Sequence, residues 1–182
     1  MLLVTGCAAA SDVASTQSFD DRLRPLCGKA YEGRITSPIV PADEAFAGQR
    51  LVMHVRECAS DTIRIPFHVG DDRSRTWVLS RTETGYRLKH DHRHEDGSED
   101  RVTQYGGDST GAPGDPRQTF PADAFTKDLL RREGNAAGVD NVWAIEHRPG
   151  LFTYELRRPG RFFRVEFDLT RPVDPPLPPW GS

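Results

Sequence analysis

The stretch that decides the fold is residues 141–169, NVWAIEHRPGLFTYELRRPGRFFRVEFDL. It holds three runs of alternating apolar and polar side chains, separated by Pro149-Gly150 and Pro159-Gly160. A period of two marks a strand with one buried face, and Pro-Gly marks a reversal of the chain. With an even number of residues in each loop, Leu156 faces Phe163, Tyr154 faces Val165 and Phe152 faces Phe167. The opposite side then sets Glu155 against Arg164, so both faces accept one register. Carried back one strand, the same parity puts Trp143, Ile145 and His147 on the face of Leu156, Tyr154 and Phe152. A slip of one residue would bury Glu146 and expose Trp143. Pro-Gly is not the preferred pair for a two-residue hairpin turn, so loops of four residues are expected.

The same periodicity extends outward along the chain. Candidate strands are 30–36, 50–57, 62–69, 75–82, 86–94, 100–105, 141–147, 151–157 and 162–169, with Gly, Pro, Asp and Asn between them. Such regular short strands predict an all-β domain, a single antiparallel up-and-down β-barrel of about 8–10 strands. Leu51, Met53 and Val55 align with Ile63, Ile65 and Phe67, which leaves His54 and His68 on the outer face. One short helix is expected at 123–132. Asp123 can cap it, Ala124, Phe125, Leu129 and Leu130 recur at helical spacing, and Gly134 stops it. Residues 106–116, with four glycines and two prolines, are expected to form an irregular loop. The organisation expected is a tether at 1–19, the barrel at 20–169 and a Pro-rich tail at 170–182, with Trp180 pinning the tail to the domain.

Of the 182 residues, roughly 150 are left to fold once tether and tail are removed, which is one ordinary domain. The net charge of −3 lacks the clustered basic surface of a nucleic-acid binder. There are 21 arginines to 3 lysines, a bias that goes with abundant Ala, Gly, Pro and Asp and points to a GC-rich genome.

Three features could carry chemistry. In Lys89-His90-Asp91-His92-Arg93-His94-Glu95, a strand puts His90, His92 and His94 on one face. An even turn around Thr84-Gly85 brings that face onto Trp77, Leu79 and Arg81. Imidazoles two residues apart on a strand can share a divalent transition metal, the alternative being a polar lining. Gly107-Asp108-Ser109-Thr110-Gly111 spells the G-x-S-x-G of a hydrolase nucleophile elbow. That elbow needs a helix straight after it, which Pro113 and Pro116 forbid, so a turn is expected. The third is an inner surface of Trp77, Leu79, Trp143, Tyr154, Leu156 and Phe163, with His90, His92 and His147 as polar points.

Resemblances add expectations of their own. Val4-Thr5-Gly6-Cys7 resembles the lipobox of bacterial lipoproteins, in which the Cys is lipidated and becomes the mature N-terminus. That resemblance implies lipidation of Cys7 and a periplasmic protein anchored to the outer membrane of a Gram-negative bacterium. The membrane would be met through the lipid alone. With Cys7 so occupied, Cys27 and Cys58 remain, one disulfide in an oxidising compartment or two thiols in a cytosol. His92-Arg93-His94, then Glu99, then Gly106 resembles the first cupin motif, which implies a jelly roll and a metal held by His92, His94 and Glu99. No second cupin motif follows. Residues 26–33, with Gly28 and Tyr31, resemble the first strand of calycin-type barrels, which implies a closed barrel around a small ligand. The function expected is a non-enzymatic envelope lipoprotein binding a small apolar or amphipathic molecule, without cofactor. A cupin-like metalloprotein is the alternative, and oligomeric state is left open.

Overall fold

The structure is a computed structural model that describes residues 17–182. Cys7 and the lipobox-like residues lie outside the described residues. Eleven strands form one antiparallel sheet: β1 Ala30–Ile35, β2 Leu51–His54, β3 Glu57–Cys58, β4 Thr62–Val69, β5 Asp72–Arg81, β6 Tyr86–His92, β7 Tyr105–Asp108, β8 Arg117–Pro121, β9 Val142–Arg148, β10 Leu151–Arg158 and β11 Arg161–Val173. The short β3 pairs only with β4, and β11 returns to pair with β1. β2 pairs with β4 past the short β3, and the remaining ladders join strands that follow one another in sequence, which closes the sheet into a nearly complete up-and-down barrel. A jelly roll, the architecture implied by the cupin motif, requires strands that cross between sheets, and this order has none.

The final meander keeps the register that parity predicts. Leu156 pairs with Phe163 and Trp143, Tyr154 with Val165 and Ile145, and Phe152 with Phe167 and His147. The loops differ from expectation. Arg148 pairs with Leu151 and Arg158 with Arg161, so each turn has only two residues. Gly150 and Gly160 take φ of 77° and 73°, the positive angle a proline-glycine turn of type II needs at its second position. Two and four share parity, so every facing pair survives.

The region expected to be a loop is irregular from 109 to 116, but its first residues, 106–108, belong to β7. Residues 100–104 are irregular, while β7 and β8 occupy part of 105–121. Among the described residues β7 and β8 form no ladder. Their seam is held by the Thr110 amide donating to the Thr119 carbonyl and the Asp123 amide donating to Gly106, both 3.0 Å. A Cβ on Gly107 would lie 1.9 Å from the Pro121 carbonyl oxygen, so only glycine permits this approach. The G-x-S-x-G run is therefore a strand end at the seam, and the Ser109 hydroxyl accepts the Tyr86 amide at 3.0 Å.

Among the described residues there are two α-helices rather than one. The helix α2, Ala124–Arg132, starts as expected, the Asp123 carboxylate accepting the Thr126 amide at 2.8 Å. Its apolar face differs: Phe125 is exposed, and Thr126 is buried against Gly106. The unexpected helix is α1, Phe19–Leu23, which plugs the barrel floor with Phe19 and Leu23, both fully buried. Phe19 packs edge-on to Tyr86 at 5.6 Å. Burial pushes the Asp20 carboxyl up, but hydrogen bonds from Arg81, Tyr86 and Ser18 outweigh it and hold the pKa at about 2. This ion-paired carboxylate locks the plug to the start of β6.

Cys27 and Cys58 form a disulfide that ties the entry of β1 to β3. On the outer face of the meander, Glu155 is 1% exposed and accepts bonds from Arg117, Arg164 and Arg157 at 2.6, 2.9 and 3.2 Å. β11 runs on to Val173, opposite Ala30. Beyond it the tail folds back over β5: the Trp180 amide donates to the Arg73 carbonyl at 3.1 Å and the Arg73 guanidinium to Pro178 at 2.8 Å.

Candidate ligand cavity

The barrel is solid at its floor and hollow at its mouth. Through the middle runs an aromatic stack in which Trp77 lies 4.8 Å from Phe67 and 4.2 Å from Tyr154, nearly parallel to both. Above it is a cavity of about 480 Å³, roofed by Ala42 and Phe46 of the β1–β2 connection and by Val102 and Leu130. A larger concavity of about 670 Å³ lies where β1 and β11 bulge apart, but outward-facing charged residues such as Glu32, Arg34 and Glu166 line it. The mouth cavity is lined by inward-facing aromatic side chains, Trp77, Trp143, Tyr154 and Phe163, so it is the candidate site.

The alternation of each strand sets what enters it. Trp77 pairs with His90 and Arg75 with His92 across β5 and β6, as the even turn predicts. Trp143, Tyr154, Leu156 and Phe163 enter from the meander. His90 is buried against Tyr105, their rings stacked at 4.5 Å. Its Nδ1 lies 3.1 Å from the Tyr105 carbonyl, which can only accept, so Nδ1 donates. Nε2 then accepts from the Tyr154 hydroxyl at 2.8 Å. Burial, helped by the nearby His92, pushes the His90 pKa down to about 3. Burial and Arg75 bring His92 to about 4, and its Nε2 is hydrogen-bonded to the Tyr105 hydroxyl at 3.0 Å. Burial raises the Tyr105 phenol to about 12. At neutral pH these groups form an uncharged polar patch set into aromatic walls.

The mouth is cationic. Arg75 pairs with Asp72 at 2.5 Å, and Arg161 binds the fully buried Asp43 through two nitrogens at 2.9 and 2.5 Å. Arg158 has no ion-pair or hydrogen-bond partner among the described residues, and burial together with Arg161 pushes its pKa down. Asn141, nine-tenths buried in the lining, leaves its Oδ1 without a partner.

Of the residues expected to bind ligand, Trp77, His90, His92, Trp143 and Tyr154 line this cavity, and Leu156 and Phe163 with them. Two do not. Leu79 is buried one step nearer the floor, opposite Leu88. His147 lies next to the end of β9 at the floor, opposite Phe152, its amide on the Pro116 carbonyl. The alternative metal set is not assembled. β6 ends at His92, so His94 is exposed beside Asp100, and Glu99 turns to Arg93 at 3.0 Å. Among the described residues no group of three His, Cys, Asp or Glu side chains is placed to hold a metal ion.

The mouth arginines and Tyr105 were not anticipated. Arg75 stands two before Trp77, Arg158 two after Leu156 and Arg161 two before Phe163, so the parity that found the walls also carries the arginines. Charge at a strand end reads as solvated, which hides them.

Because folded His90 titrates near 3 and an unfolded histidine near 6.5, its contribution to stability is complete above pH 6.5 and is lost as pH falls toward 3. Urea denaturation between pH 6 and 5 should show wild-type stability falling with decreasing pH. A His90→Gln variant should fall less steeply, by about 1 kcal/mol per pH unit.

The chain matches no protein-family model, no curated protein and no solved structure.

Proposed function

We propose that this protein is a non-enzymatic lipoprotein of the bacterial envelope whose barrel holds a small amphipathic molecule. The observation that carries the reading is the 480 Å³ mouth cavity, with aromatic walls and a neutral histidine-tyrosine patch. Its volume falls in the range of small-molecule sites, roughly 300–1,000 Å³. His90 holds the Tyr105 carbonyl and the Tyr154 hydroxyl with its two ring nitrogens, which ties it into the polar part of the lining. The lipobox-like Val4–Cys7 supports a lipid anchor in the outer membrane, facing the periplasm. The Cys27–Cys58 disulfide fits that oxidising compartment.

Native mass spectrometry of protein isolated from its own host should find a bound small molecule. A Leu156→Trp variant, which fills the cavity, should lose it. The protein should partition into membranes, and Cys7→Ala should release it. A wild-type chain that is always free of small molecules, or a soluble one retaining Met1, would overturn the corresponding half of the proposal.

A further inference from the structure

The entrance of the cavity discriminates by charge. Three guanidinium groups, Arg75, Arg158 and Arg161, line one mouth. Two are already neutralised, by Asp72 and by Asp43. Each of those carboxylates comes from outside the cavity lining, from the start of β5 and from the β1–β2 connection. Arg158 is half-buried, next to Arg161; Asp43, already bonded to Arg161, offsets its charge only in part, and Arg158 has no hydrogen-bond or ion-pair acceptor of its own among the described residues. Partly burying an unpaired guanidinium beside a second one is unfavourable unless something negative completes it.

The remaining charges set how much negative charge fits. Asp100 lines the cavity near His92 and Tyr105, and its Oδ1 accepts the Val102 amide at 2.7 Å. His90 and His92 are neutral at physiological pH and contribute hydrogen-bonding groups without charge. One cation without an ion-pair partner and one carboxylate in the same lining suit a single negative head at Arg158. A second negative charge would meet Asp100 with no cation left to offset it, and a cationic ligand would meet Arg158.

We propose that the cavity takes a monoanionic amphiphile, its oxyanion head (carboxylate or sulfonate) received at the mouth by Arg158 and its apolar body lying against Trp77, Trp143 and Phe163. Arg161 is a positioning residue: held by Asp43, it keeps the roof loop in place beside Arg158. This inference rests on the ligand-binding reading above and adds the chemical class.

Two probes with one skeleton separate the two ideas. 8-Anilinonaphthalene-1-sulfonate carries a sulfonate that N-phenyl-1-naphthylamine lacks, and binding of each is read by energy transfer from Trp77 and Trp143. Wild type should bind the sulfonate more tightly than the neutral compound. Arg158→Met should weaken the sulfonate about 10-fold or more, the scale of a charge-assisted hydrogen bond, and leave the neutral probe within about 2-fold. Arg158→Lys should recover part of the loss, since it restores charge without the bidentate fork. The neutral probe also reports whether the cavity of each variant is intact. Equal affinity of wild type for both probes, or an equal loss of both in Arg158→Met, would overturn the anion site and leave the cavity reading standing. Failure of wild type to bind either probe would overturn the cavity reading itself.

Discussion

Replacing Trp77 by alanine should cost about 4 kcal/mol, a large share of the stability of a domain this size. The indole is 1% exposed, and it is the middle layer of the stack between Phe67 and Tyr154. Phe152 and Phe167 also stand against it, with ring centroids 6.3 Å away. Its removal deletes the largest apolar side chain of the mid-barrel. It also takes one wall from Tyr154, whose hydroxyl donates to His90 Nε2. The space created adjoins the mouth cavity, so water can enter it and the loss should stay below the top of the range for buried aromatics. Urea denaturation followed by far-ultraviolet circular dichroism measures the change. His147→Ala, at the floor end of β9, is the contrasting case and should cost far less. Similar losses for the two would mean that Trp77 is not central to the core.

Loss of the Cys27–Cys58 bond should cost about 3–4 kcal/mol. The residues are 31 apart in sequence, and in the chain-entropy model closing a loop of that size restricts the unfolded chain by this amount. The folded state has little to lose locally, because the ends are already held together. The Gly28 amide donates to the Val55 carbonyl at 2.7 Å and the Val55 amide to Lys29 at 3.0 Å. A Cys27→Ser, Cys58→Ser double variant should therefore keep the native dichroism and unfold at lower urea. Wild type measured with a strong reductant should behave the same way. Thiol labelling of the denatured, unreduced protein should find neither cysteine free. A stability difference well under 1 kcal/mol would show that the unfolded chain keeps these segments together without the bond.

The inner wall was legible because a strand has two faces and the core accepts one. Burying Trp143, Ile145, Tyr154, Leu156, Phe163 and Val165 together leaves a single register, and the same rule sets His90 and His92 against Trp77 and Arg75. Parity does not see loop length, so two-residue turns replace the four-residue ones without moving a pair. It also does not say how far along the barrel axis a residue sits. Leu79 and His147 point inward as expected but lie too near the floor to meet the cavity. Glycine hid β7. A strand rich in glycine is ordinarily weak, and Gly106-Gly107 gains its place from the close approach of Pro121 and Thr126, contacts that a local pattern cannot show. The plug α1 spans five residues, too few for a helical period to be read.

The return of β11 to β1 also sets the order in which the molecule assembles. The hairpins β4–β5, β5–β6, β9–β10 and β10–β11 join neighbours in sequence and can form locally within microseconds. The β1–β11 ladder brings Ala30 to Val173 across most of the chain, so its loop-closure entropy falls due late and complete folding belongs on the millisecond-to-second scale of non-local β proteins. Until that ladder zips, the thirteen residues of β11 present a long unpaired edge to any other nascent copy. Crowded synthesis, more than heat, is the condition under which this chain would be lost to edge-to-edge aggregation.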